Sequence, residues 1–165
     1  AAGACAARLE AAGLRSGEGC GLLLPYRADL GAWYWGIVRL GARPSILAYP
    51  SPRLHPEKFR EGLRGMALHS GLDVLVTDPA LESKVAPLVD GGSVRGLLPV
   101  QEGGFGAAAW PDERWVQPDR GAPFLLQHSS STGTVGRGKP PWYYGTRTWR
   151  RAACFKRWTR TYKVT

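Results

Sequence analysis

Residues 129–139 combine side chains and backbone types that bind phosphate groups. Hydroxyl side chains come first, then three glycines are interleaved with them, and a lysine closes the stretch: Ser129, Ser130, Ser131, Thr132, Thr134, Gly133, Gly136, Gly138 and Lys139. Glycine allows a positive φ, so successive backbone N–H groups of such a loop can face one anion. The hydroxyls add donors, and the lysine adds a full positive charge. The stretch therefore predicts a phosphate-binding loop.

One known pattern that fits in part is the P-loop of nucleotide triphosphatases, Gly-x4-Gly-Lys-Ser/Thr. Gly133, Gly138 and Lys139 occupy its first three fixed positions, but Pro140 stands where the pattern needs a magnesium-binding hydroxyl. The 25 residues after Pro140 leave little room for the rest of that fold. A P-loop nucleotide phosphohydrolase is therefore the less favoured alternative.

A second pattern is the phosphate-binding loop of adenylate-forming enzymes, Thr-Ser-Gly-Thr-Thr-Gly-x-Pro-Lys-Gly. The segment Ser131–Lys139 resembles it position by position and keeps Gly133, Thr134, Gly136 and Lys139. It departs from the pattern at Val135, Gly138 and Pro140, and the loop is about two residues longer than is usual there. The preceding Leu125-Leu-Gln-His-Ser-Ser130 also resembles this superfamily, in particular its acyl-CoA synthetases and fatty-acyl-AMP ligases.

The resemblance covers roughly residues 5–139. Besides the loop, four segments carry it, in an order and spacing similar to those of the superfamily: Leu9–Leu24, Trp33–Pro44, Ser45–Phe59 and Val74–Pro79. It implies an α/β fold and a partial amino-terminal AMP-binding domain over residues 1–139, in a chain that begins inside a longer one. Residues 140–165 are expected to be a basic, aromatic tail outside the packed domain.

The resemblance also implies a function. The whole enzyme would use ATP and Mg²⁺ to convert a carboxylic acid, such as a fatty acid, into an acyl-adenylate, and would transfer the acyl group to a thiol of CoA or of a carrier protein. The residues expected to bind the ATP phosphates are Ser131, Thr132, Gly133, Thr134, Gly136 and Lys139. No catalytic residue and no metal ligand is expected among the 165 residues, because the superfamily's later motifs lie beyond them. We therefore expect this chain to be inactive alone.

Short apolar runs alternate with longer segments of helical period, which predicts a mainly parallel sheet with helices on both faces. Five strands are predicted, at 20–24, 44–49, 74–77, 94–100 and 123–127, and four helices, at 2–12, 26–40, 57–69 and 80–89. Ligands bind at the carboxyl ends of strands in open α/β sheets. The loop 129–139 follows the fifth strand, where a nucleotide phosphate is expected.

The net charge of +9 is unevenly distributed. Residues 1–120 contain 13 basic and 13 acidic side chains, whereas residues 121–165 contain nine basic side chains and no acid. A basic tail with aromatic residues could bind single-stranded RNA, and a non-catalytic RNA-binding module is a further alternative. A tail that never folds, or one read in a shifted frame, is favoured over it, so nucleic acid is not expected as a partner.

The remaining residues indicate no other chemistry. Cys5, Cys20 and Cys154 are odd in number and widely spaced, which indicates neither a disulfide framework nor a zinc site. No apolar run of about 18 residues and no leader is visible, so neither a membrane span nor a signal peptide is predicted and the cytoplasm is the expected location. His128 is expected to be a packed or capping histidine, and loop or helix-end roles are expected for His55 and His69. The aromatic side chains of 33–35 are expected to cover the sheet.

Overall fold

Four strands form a parallel sheet in the order β2-β1-β3-β4. They are β1 Gly19–Leu23, β2 Arg43–Ile46, β3 Leu72–Thr77 and β4 Gly96–Pro99. Leu22 in β1 is paired with Ile46 on one side and with Val76 on the other. The computed structural model describes residues 1–106, 110–117, 123–127 and 142–145. The predicted α/β class with a mainly parallel sheet is confirmed.

Helices cover both faces of this sheet. They are α1 Ala2–Ala11, α2 Leu30–Arg39, α3 Pro56–Ser70, α4 Glu82–Val85 and α5 Pro87–Asp90. Side chains alternate between the two faces of a strand, so Cys20 and Leu22 join α1 and α2 in one buried cluster, and Leu23 joins α3, α4 and α5 in the other. None of the helices in the described part of the chain is long and apolar enough to cross a membrane.

The third helix shows how local chemistry sets its ends. His55 precedes it with extended backbone, and its Nδ1 accepts a hydrogen bond of 3.4 Å from the N–H of Glu57. Pro56 takes the first helical position, where no N–H is needed. Gly71 ends the helix in the left-handed region, at φ 59°. His55 thus has a helix-end role, as expected from the sequence.

Two predicted helices differ from the structure. The second begins at Leu30 and not at residue 26, because Arg27 and Asp29 are held in a loop by each other and by the chain after β4. The fourth is divided into a 3-10 turn, Pro79–Leu81, and the short helices α4 and α5. Pro87 explains the break between α4 and α5, since it has no N–H to donate and its ring crowds the carbonyl four residues earlier.

The fifth strand lies outside the parallel sheet. β5 (Pro123–Gln127) pairs antiparallel with β6 (Trp142–Gly145) in a separate two-stranded sheet. β5 also contacts β2, and Leu126 is buried in the cluster that contains α3. In the described residues β5 has no ladder partner in the four-stranded sheet. The expectation that β5 shares the carboxyl edge of the parallel sheet is therefore corrected.

Residues 110–117 pack against α1 and α2. The Trp110 side chain is 8% exposed and belongs to their buried cluster, and the N–H of Val116 donates to the carbonyl of Arg39 at 3.1 Å. Gly3 of α1 lies so close to Trp110 that a Cβ added to this glycine would be only 3.3 Å from the tryptophan Cβ. Residues 110–117 belong to the longer segment 101–120, which is rich in Gly, Pro and Asp. Part of that segment is thus core, because one large aromatic side chain anchors it.

Candidate functional site

The carboxyl ends of β1, β3 and β4 are joined by one buried ion pair. Arg27, in the loop after β1, donates from Nε to Asp29 Oδ1 at 2.5 Å and from Nη2 to Oδ2 at 2.8 Å. The two side chains are 5% and 3% exposed. Such a bidentate arrangement is the strongest form of this pairing and fixes the relative orientation of both groups.

Both partners also bind the chain that follows β4. Arg27 donates to the carbonyls of Val100 and Gln101, each at 3.1 Å. Asp29 accepts from the N–H of Gly103 at 3.1 Å and from the indole N–H of Trp33 at 3.3 Å. These bonds tie the loop after β1 to the loop after β4, two strands away in the sheet.

The protonation of Asp29 reflects these contacts. Burial by itself would raise the pKa of this carboxyl, but the hydrogen bonds from Arg27 and from the backbone of Gly103 outweigh it and hold the pKa below its ordinary value. Asp29 is therefore a carboxylate at neutral pH. Because the Arg27 guanidinium already makes four hydrogen bonds, it supports the loops and is not available as an anion-binding group.

The loop after β3 adds a second carboxylate at this edge. Asp78 Oδ1 accepts from the N–H of Ala80 at 2.8 Å, and Oδ2 lies 3.8 Å from Arg27 Nη1. Partial burial, together with the negative charge of Asp78, raises the pKa of Tyr49, which follows β2. The loops after all four strands of the parallel sheet therefore face a common edge with mixed charge.

The residues predicted to bind phosphate, Ser131, Thr132, Gly133, Thr134, Gly136 and Lys139, lie outside the described residues, as does His128. The structure describes the two strands on either side of them. Gln127 in β5 is paired with Trp142 in β6, so the two residues that flank segment 128–141 are neighbours. Segment 128–141 follows β5 and precedes β6 along the chain, and β5 contacts β2.

Part of the predicted tail has a strand partner. Residues 142–145 form β6 and pair with β5, and residues 146–165 lie outside the described part of the chain. The division between a domain at 1–139 and a tail at 140–165 stays a prediction, with the pairing of β6 as the observation that bears on it.

The buried thiols are poor nucleophiles. Burial raises the pKa of Cys5 to about 12, and burial followed by the negative charge of Asp73 raises that of Cys20 further. A thiol must ionise to attack or to bind a metal, so neither group is poised to react at neutral pH. Within the described residues, no three His, Cys, Asp or Glu side chains form a group that could hold a metal ion.

Sequence reasoning missed the Arg27–Asp29 pair. The pattern Arg-Ala-Asp directly after a buried strand was available, but an apolar period running through residues 30–40 made these residues appear helical.

The prediction for Trp35 was wrong: this side chain is 55% exposed and does not cover the sheet, whereas Trp33 is fully buried. Trp35 instead packs edge-on against the ring of Tyr34 at 5.5 Å.

Several solved structures have a fold similar to that of this chain. A fatty acyl CoA synthetase from Mycobacterium tuberculosis matches 94% of this chain with a TM-score of 0.60 and 17% identity. ATP-bound MatB from Rhodopseudomonas palustris matches 93% with a TM-score of 0.67 and 16% identity. O-succinylbenzoate Coenzyme A synthetase from Bacillus subtilis matches 94% with a TM-score of 0.62 and 17% identity.

These likenesses define the fold, which is that of the amino-terminal domain of adenylate-forming enzymes. The resemblance to adenylate-forming enzymes that was stated from the sequence is thus confirmed for the fold. The chain spans 30%, 29% and 29% of the length of these three structures. No family model matches the chain, and no curated protein matches it by sequence.

Proposed function

We propose that this chain is the amino-terminal part of an ATP-dependent ligase that activates a carboxylic acid of fatty-acid-like kind. In the whole enzyme, a carboxylate oxygen of the substrate attacks the α-phosphorus of ATP. The bond from that phosphorus to the bridging oxygen breaks, and pyrophosphate leaves. A thiol of CoA or of a carrier-protein arm then displaces AMP from the acyl-adenylate.

The observation that carries this proposal is the β5–β6 hairpin in a fold like that of CoA ligases. Gln127 and Trp142, the residues on either side of segment 128–141, are paired, and β5 contacts β2; the sequence of this segment contains the hydroxyls, glycines and lysine of a phosphate loop. In the proposed site, Ser131, Thr132 and Thr134 donate hydroxyls to phosphate oxygens. Gly133 and Gly136 bring backbone N–H groups close, and Lys139 neutralises charge on the leaving pyrophosphate.

Mg²⁺ enters this proposal only through the resemblance, and no residue of the chain is assigned to it.

A P-loop phosphohydrolase is less well supported by the local structure. In that pattern the lysine lies at the start of a helix, whereas here a strand begins three residues after Lys139, at Trp142.

Binding of ATP to the 165-residue chain tests the phosphate loop directly. We expect a weak, saturable interaction by isothermal titration that inorganic tripolyphosphate displaces, since the loop would recognise phosphates and not the base. Lys139→Ala should abolish most of it, and Lys84→Ala, which removes an exposed lysine from α4, should not. Equal affinity of the two variants, or no binding by the unaltered chain, would contradict the assigned role of the loop.

Exchange of pyrophosphate into ATP tests the chemistry separately. The chain should remain at background with any fatty acid, because by resemblance the other groups needed for adenylation lie beyond its 165 residues. Exchange above background that disappears in Lys139→Ala would show that these residues suffice, and the chain would then not be an inactive part of a longer enzyme.

A further inference from the structure

We infer that this chain associates with a second copy of itself through the outer face of α2, formed by Gly31, Tyr34, Trp35, Val38 and Arg39. These residues recur at spacings of three and four positions, so they lie on one side of the helix. The side toward the sheet holds the buried residues of α2. The inference concerns the 165-residue chain itself and does not rest on the proposed adenylation function.

The outer face of α2 lacks the charged side chains of an ordinary surface helix. Of the ten residues in α2, only Arg39 is charged. A helix that is apolar on all sides is normally buried. Trp35 is nevertheless 55% exposed, and Gly31 is exposed beside it. We therefore expect this face to have a partner.

The apolar surface continues beyond α2. The guanidinium of Arg39 lies over the ring of Trp115, at 5.6 Å from its centroid, and the Trp115 side chain is 44% exposed. Val116 is 36% exposed and is held at the end of α2 by the hydrogen bond from its N–H to the carbonyl of Arg39. Contiguous exposed apolar surface of this kind generally marks an interaction site.

The shape of the outer face of α2 is complementary to itself. Trp35 projects from the helix, and the ring of Tyr34 packs edge-on against it at 5.5 Å. One turn earlier, a Cβ added to Gly31 would meet nothing within 4 Å, so a recess lies next to the projection. In a two-fold arrangement with antiparallel α2 helices, Trp35 of each copy lies over Gly31 of the other copy. A two-fold interface requires such reciprocity.

The charges of this surface favour a second copy over an anionic partner. Its one cation, Arg39, lies over Trp115, whereas an anionic membrane or a nucleic acid is attracted by clusters of lysine and arginine. A second copy needs no such cluster, because it presents the same aromatic and small side chains.

The area available sets the expected strength of the dimer. A buried aromatic side chain contributes up to about 250 Å², so the exposed parts of Trp35 and Trp115 in two copies amount to about 500 Å². The neighbouring side chains add to this area, and the sum falls within the range of weak, transient interfaces, below about 1,200 Å². We therefore expect a dimer that forms only at high protein concentration.

Sedimentation velocity of the unaltered chain, from about 5 to about 500 µM, tests the inference around the affinity expected of a weak interface. The mean sedimentation coefficient should rise with concentration. Trp35→Gln should raise the Kd of the dimer at least about tenfold, because central aromatic side chains dominate the energy of such interfaces. Gly31→Gln should also weaken the dimer, because it fills the recess, and it should leave the monomer folded, since nothing within 4 Å opposes the added side chain.

Leu68→Gln is the matched control. Leu68 is as exposed as Trp35, at 56%, but it lies on α3, which packs on the opposite face of the sheet, so the Kd should not change. If Trp35→Gln fails to fold by circular dichroism, the comparison of Gly31→Gln with Leu68→Gln decides the question. A chain that stays monomeric overturns the inference, whether or not its tryptophan fluorescence then responds to phosphatidylglycerol vesicles. A dimer that is weakened equally by all three substitutions, or by none of them, also overturns it.

Discussion

Gln127 of β5 and Trp142 of β6 are paired across an antiparallel ladder. Segment 128–141, which contains the predicted phosphate loop, connects these two residues along the chain. The entropy of loop closure grows only logarithmically, and even a doubling of length costs about 0.6 kcal/mol. We therefore expect the two residues by which this loop exceeds the adenylate-forming pattern to change the free energy of loop closure by much less than about 0.6 kcal/mol.

Removal of Arg27 should be the most damaging single change at the carboxyl edge of the sheet. Arg27→Met leaves the carboxylate of Asp29 buried without its ion-pair partner, and breaking a buried pair typically costs about 3–5 kcal/mol. Unfolding in urea, followed by circular dichroism, measures this loss. Arg95→Met is the control: its pair with Glu18 is as short, at 2.6 Å, but the arginine is 52% exposed, so we expect a clearly smaller loss because solvent screens an exposed pair. Equal losses would contradict the special role of Arg27.

The ionisation of Asp29 should make the stability of the fold depend on pH. The folded-state pKa of Asp29 is lower than its ordinary value, so the folded state binds this proton less readily than the unfolded state does. The resulting stabilisation is present above the unfolded pKa of about 3.9 and is lost as the pH falls through the folded pKa. Urea midpoints measured from pH 7 down to pH 3 should fall. Glu18, whose pKa is lowered by Arg95, contributes in the same direction.

The variant Asp29→Asn separates the contribution of Asp29 to the pH dependence of stability from that of Glu18. This variant should be less stable than the unaltered chain at pH 7, and the difference between them should shrink toward pH 3. A difference that stays constant over this range would mean that Asp29 acts through packing alone.

The fold was more predictable than the site for a physical reason. Strand and helix positions follow from apolar period, and the caps at His55 and Gly71 follow from local backbone chemistry. The Arg27–Asp29 pair and the anchoring of Trp110 depend on residues more than 70 positions away. Such contacts leave no period in the sequence. The antiparallel pairing of β5 was missed because its partner lies in a stretch without alternation of apolar residues.

The contact between α1 and α2 depends on Gly36. A Cβ added there would lie 2.7 Å from the Cβ of Cys5 and 3.1 Å from the backbone nitrogen of Ala6. Because backbone cannot move aside as a side-chain end can, Gly36→Ala should destabilise the chain by about 1–3 kcal/mol, the usual range for overpacking. Gly31→Ala in the same helix meets nothing within 4 Å and should be neutral or stabilising by up to about 1 kcal/mol. Thermal unfolding of both variants checks the contrast.

Two truncations locate the end of the folded part. Removal of residues 146–165 should leave the melting temperature nearly unchanged, since the sequence predicts a tail that buries no continuous apolar face and so does not offset its ordering entropy of about 1–2 kcal/mol per residue. Removal of residues 140–165 also deletes β6, the ladder partner of β5. The backbone of β5 then loses its hydrogen bonds, and the position of the buried Leu126 is weakened. We expect this shorter chain to melt several degrees lower.

Equal melting temperatures for the two truncated chains would place the boundary of the folded part at Lys139. A large drop on removal of residues 146–165 alone would mean that the last twenty residues belong to the packed structure.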